Sequence, residues 1–67
     1  MKQVFSQPEA RKLAEWLREQ FRLEIKSAFV FWRMTPDQAV AWVVKEDATL
    51  KDKVDARKLA RAVGRNV

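Results

Sequence analysis

The chain is predicted to fold as one small α+β domain spanning residues 1–67, in the order strand, helix, strand, strand, helix. Three observations predict it. An amphipathic stretch comes early, a β-branched and aromatic middle is interrupted by Thr35-Pro36-Asp37-Gln38, and a second amphipathic stretch ends at the only glycine, Gly64. An all-α domain of three helices is the competing reading, and it turns on residues 22–46.

Residues 2–5 suit a short edge strand. Ser6-Gln7-Pro8-Glu9 then reads as a capping box, with Ser6 accepting from the Glu9 N–H and the Glu9 carboxylate reaching back to Ser6. Pro8 sits in a first turn, where its missing N–H costs nothing. Phe5 before the cap and Ala10 after it suit a hydrophobic staple. Ala10, Leu13, Ala14, Leu17 and Phe21 recur at spacings of three and four, with Arg11, Glu15, Arg18, Glu19 and Arg22 opposite. This is an amphipathic helix from about Pro8 to Phe21.

Residues 22–34 support two readings. Arg22-Leu23-Glu24-Ile25-Lys26 alternates with period two, and Ala28-Phe29-Val30-Phe31-Trp32 is aromatic and β-branched, so a strand is preferred. Continuing the first helix to Arg33 would put Glu24 in the apolar stripe and Phe29 among the charges. Thr35-Pro36-Asp37-Gln38 is equally two-sided. Thr, Pro and Gln at these spacings would start a helix, whereas Pro-Asp between apolar runs would make a type I turn. Four of the six residues in Ala39-Val40-Ala41-Trp42-Val43-Val44 favour a strand, and a hairpin supplies the preceding strand with a partner. It would pair Met34 with Ala39, Trp32 with Ala41, and Lys26 with Asp47 of opposite charge. The antiparallel hairpin is therefore the expectation. Thr49 is read as the cap of a final helix running to about Val63, with Gly64 supplying the left-handed residue that ends it.

Composition narrows the function. A chain this short buries only ~60% of the surface it exposes when unfolded. It has no Cys and no His, so disulfides and the usual structural zinc ligands are missing. Association with another chain is the remaining staple, and a homodimer is expected. There is no apolar leader and no membrane-spanning run. A cytoplasmic, complete short protein is the expectation.

Catalysis is not expected. The chain lacks His, Cys and Tyr, and its hydroxyls are Ser6, Ser27, Thr35 and Thr49. A nucleophile with a base in reach cannot be assembled readily from these. Asp52 and Asp55 share a helix face at a spacing a magnesium ion could use, but acids near a helix N-terminus also complement its dipole. One glycine excludes a Gly-rich phosphate loop. No cofactor, metal or small-molecule substrate is expected.

Two features point to binding. The net charge is +5, and residues 50–67 carry Lys51, Lys53, Arg57, Lys58, Arg61 and Arg65 against two acids, a balance of +4. Lys53, Arg57, Arg61 and Arg65 recur every four residues, which on a continuous helix makes a slowly turning ridge of cations. Such a row suits a phosphate backbone, DNA or RNA. No motif for reading bases accompanies it: a helix-turn-helix fitted to residues 13–33 would have Ala28-Phe29-Val30-Phe31-Trp32 as its recognition helix, without polar groups. The second feature is apolar excess. Phe29, Phe31, Trp32, Trp42 and Val44 lie on a hairpin with two apolar faces, of which two helices can cover one, leaving a candidate protein interface. The leading expectation is a basic nucleic-acid-binding dimer. The alternative is a small module or inhibitor that docks on a larger protein through its Trp, Phe and Val side chains.

Overall fold

In a computed structural model that describes residues 3–66, Ser6 begins the first helix as its sequence requires. Its Oγ accepts from the Glu9 N–H at 3.3 Å, and Glu9 Oε1 accepts from the Ser6 N–H at 3.0 Å. Helix α1 runs Gln7–Phe21 and buries Ala10, Leu13, Ala14 and Leu17. Phe5 and Ala10, the expected staple pair, are both fully buried. Arg22, in the left-handed region at φ 55°, ends the helix.

From here the structure departs from the hairpin. The described residues hold three α-helices and no strand, so the α+β expectation is overturned and the three-helix alternative stands. Residues 22–26 do keep the alternation of their sequence, with Leu23 half-buried, Ile25 buried, and Arg22, Glu24 and Lys26 exposed. No partner strand lies alongside. Instead the Arg18 guanidinium donates to the Ile25 carbonyl and ties this segment to α1. Ser27 Oγ then accepts from the Phe29 N–H at 3.2 Å and starts a 3₁₀ turn, Ala28–Phe31. The expected edge strand is also absent: Lys2 lies outside the described residues, and residues 3–5 form no ladder. Phe5 alone pairs with the far side of that turn, donating to the Met34 carbonyl at 2.8 Å and accepting from the Arg33 N–H at 3.1 Å.

Thr35 decides the second half of the hairpin. Its Oγ1 accepts from the Gln38 N–H at 3.2 Å, while the Gln38 side chain accepts from the Thr35 N–H at 2.9 Å. With Pro36 opening the first turn, this is a complete capping box, and helix α2 spans Pro36–Glu46. Ala39 and Val43, four residues apart, are fully buried on one stripe. The β-branched residues cost a helix only tenths of a kcal/mol each, which the cap and the buried stripe outweigh. None of the expected cross-strand pairs forms. Trp42 meets Phe31 instead, ring edge to ring face, with centroids 5.0 Å apart.

The final helix also starts later than expected. Thr49 does not cap it but lies inside a second 3₁₀ turn, Ala48–Leu50, whose own cap Asp47 takes hydrogen bonds from the Thr49 N–H and hydroxyl. Asp55 is the true cap, accepting from the Lys58 N–H at 2.7 Å, and α3 covers only Ala56–Ala62. Gly64, at φ 94°, ends it as anticipated. The Gly64 N–H donates to the Arg61 carbonyl at 2.9 Å and the Arg65 N–H to the Ala60 carbonyl at 3.0 Å. This is the pair of bonds of a Schellman motif. Helix α3 packs on α2 and α1, the Ala28–Phe31 turn packs on α1, and Phe5, Leu13, Leu17, Phe31, Val43 and Leu59 fill the space between them. Among the described residues no helix is long and apolar enough to cross a membrane.

Candidate functional site

The six cations of the expected ridge do not share one rod. Lys51 and Lys53 precede α3, in the turn after Leu50; Arg57, Lys58 and Arg61 lie on the helix; Arg65 lies beyond it. Lys58 Nζ turns back to the Lys53 carbonyl at 3.0 Å. Arg65 leaves the row altogether. The Schellman turn aims it at the start of α1, where Nε donates to Glu9 Oε2 at 2.8 Å and Nη2 to Glu9 Oε1 at 3.0 Å. Two further protons reach the carbonyls of Gln3 and Val4, each at 3.0 Å. The guanidinium also lies 5.1 Å from the Phe5 ring centre. This forked ion pair holds the Glu9 carboxyl down at about 2, against 4.5 for an unpaired carboxyl. Arg65 is thus a clasp between the chain's two ends. Lys51, Lys53, Arg57 and Lys58 remain exposed in a shorter basic stretch.

The apolar candidates separate as well. Phe31 is fully buried and belongs to the core, while Trp42 and Val44 are half-buried on α2. Phe29 and Trp32 stand out in solvent, 55% and 39% exposed. The backbone explains the pairing. In a 3₁₀ turn residues three apart eclipse, so positions 29 and 32 share one side, and the Trp32 N–H donates to the Phe29 carbonyl at 3.1 Å. Their rings lie 6.1 Å apart, tilted by 56°. Arg33 follows in the left-handed region at φ 69°, and its guanidinium lies 4.7 Å from the centre of the Trp32 ring. Two aromatic rings and one cation therefore form a single prominence. Sequence reasoning missed Arg33. Its signal was the Ser27 cap, which sets the turn that places Trp32 beside Phe29.

The neighbouring segment of the chain, residues 24–30, lines a cleft of about 470 Å³. Ile25, Val30 and Trp42 give it apolar walls, and Glu24, Lys26 and Glu46 supply its charges. Two carboxylates against one ammonium make it acidic in a protein of net charge +5. It brings residues 24–30 against the last turn of α2, a juxtaposition the hairpin reading did not contain. Of the Asp52/Asp55 pair, Asp55 is engaged as the α3 cap. Among the described residues no three acidic side chains gather as a metal would need.

Compared with known protein families, with characterised proteins and with solved structures, the chain matches none.

Proposed function

We propose that this protein is a non-catalytic docking module that engages another protein through the Phe29–Trp32–Arg33 prominence. The observation that carries the reading is the exposure of two adjacent aromatic rings, under a stacked guanidinium, in a domain whose core closes without them. Trp and Arg are the side chains that most often dominate interface energetics. An aromatic surface brings large contact area at little conformational cost, because each ring has only two side-chain torsions to fix. Arg33 is already ordered against Trp32, so part of that cost is met before a partner arrives.

The nucleic-acid reading survives as a second proposal in reduced form. Its support is the run of exposed cations Lys51, Lys53, Arg57 and Lys58 around the start of α3. Polyphosphate contact through these side chains would be electrostatic and steeply salt-dependent.

A pair of variants separates the two. The immobilised wild-type chain, a Phe29→Ser/Trp32→Ser form and a Lys53→Glu/Arg57→Glu form are compared for retention of host proteins and of labelled DNA and RNA, at low and high salt. Docking predicts a protein, either a host protein or an added untagged copy of this chain, retained through high salt by the wild type and the cation variant, and lost by the aromatic variant. Salt-labile retention of nucleic acid that depends on Lys53 and Arg57, with no effect of the aromatic pair, would reverse the order of the two proposals.

A further inference from the structure

The prominence and the cleft are complementary in chemistry and neighbours in the chain. We propose that the partner they fit is a second copy of this protein, in a two-fold dimer where each prominence seats in the other copy's cleft. This deepens the docking reading and rests on it.

The argument begins with the charges. Arg33 is a cation that apolar burial alone would penalise. The cleft offers Glu24 and Glu46, one carboxylate more than Lys26 offsets. Phe29 and Trp32 carry the exposed aromatic area, and the half-buried Val30 and Trp42 are the apolar side chains of the cleft that would meet it. The acidic rim also disfavours polyanions and anionic lipid at this surface, while it accepts the arginine of a like chain.

Topology supplies the second support. Both halves are carried largely by residues 24–33, with Trp42 and Glu46 added from α2. A self-complementary interface needs donor and acceptor surfaces side by side, so that one rotation satisfies both contacts. A standard interface takes about 800 Å² from each partner, roughly one-sixth of the 4869 Å² this chain exposes. The cleft lining supplies only a small part of that area, so the expected self-association is weak.

The test is a charge exchange followed by sedimentation velocity from about 10 μM to about 1 mM. The wild type is expected to dimerise within this range, and Phe29→Ser/Trp32→Ser to remain monomeric. Arg33→Glu and Glu24→Lys/Glu46→Lys each set like charges against each other in both contacts, and each should weaken self-association at least about tenfold. Mixed together, the two charge variants restore an opposite-sign match at both contacts and should form a heterodimer within about threefold of the wild-type affinity. Circular dichroism melts confirm that each variant retains its fold.

A wild type that stays monomeric throughout overturns the proposal, as does a dimer indifferent to the aromatic pair or a mixture that fails to associate. If the chain is monomeric yet retains a host protein through Phe29 and Trp32, the dimer falls and the docking module stands. Loss of both removes both.

Discussion

At the scale of single residues, Arg65 decides the most. It joins residues 56 positions apart through a forked ion pair and two carbonyl contacts, where the expected ridge would have left it in solvent. Both partners are about one-fifth exposed, so solvent screening moderates the gain. Arg65→Ala should lower stability by about 1–2 kcal/mol, measured by urea denaturation. Arg65→Lys should recover only part, because an ammonium cannot make the fork. The same pair sets an acid limb. A carboxyl whose folded value is lowered stabilises the protein above its unfolded value and loses that contribution as pH falls through the folded one. Arg65, first among the causes, holds Glu9 at about 2 instead of 4.5. Stability should therefore decline as pH drops from about 4.5 toward 2. The Glu9→Gln variant should show a shallower decline in melting temperature over that window. An unchanged slope would mean that the pair contributes nothing to folding.

At the scale of elements, the helices are bounded by local hydrogen bonds more than by propensity. Ser6 and Thr35 head two capping boxes, Asp55 heads α3, and Gly64 closes it. Removing the α2 cap by Thr35→Ala should cost about 1 kcal/mol. Nothing lies within 4 Å of where a Gly64 side chain would start. The expected penalty of Gly64→Ala, again about 1 kcal/mol, is then purely the strain of an L-residue at positive φ. Thermal melts of the two variants check both figures, and a neutral Gly64→Ala would place the helix end elsewhere. Far-UV circular dichroism should show helical minima without a strand component.

At the scale of the whole molecule, the test is the contrast between neighbours in one turn. Phe31 is fully buried against Trp42, while Phe29, two residues earlier, is mostly in solvent. Phe31→Ala should cost about 3–5 kcal/mol through the cavity it leaves. Phe29→Ser with Trp32→Ser should cost less than that, about 1–2 kcal/mol, for the part of Trp32 that is buried. Comparable losses in a chemical denaturation series would make the prominence part of the core and remove the docking surface.

The first helix, its capping box, its buried face and the glycine that ends the last helix were legible in the sequence by itself, because each is written within a few consecutive residues. The charge balance was legible for the same reason. The middle of the chain was not. Alternation in residues 22–26 records which side chains face inward and is silent on whether a neighbouring strand exists. At Thr35 the same four residues encode a turn or a cap, and the tertiary structure chose the cap because α2 then buries Ala39 and Val43 between its neighbours. The fate of Arg65, the burial of Phe31 and the packing of residues 24–30 against α2 were likewise tertiary decisions. Each depends on contacts between residues far apart in the chain, and those form only once the core has brought the segments together.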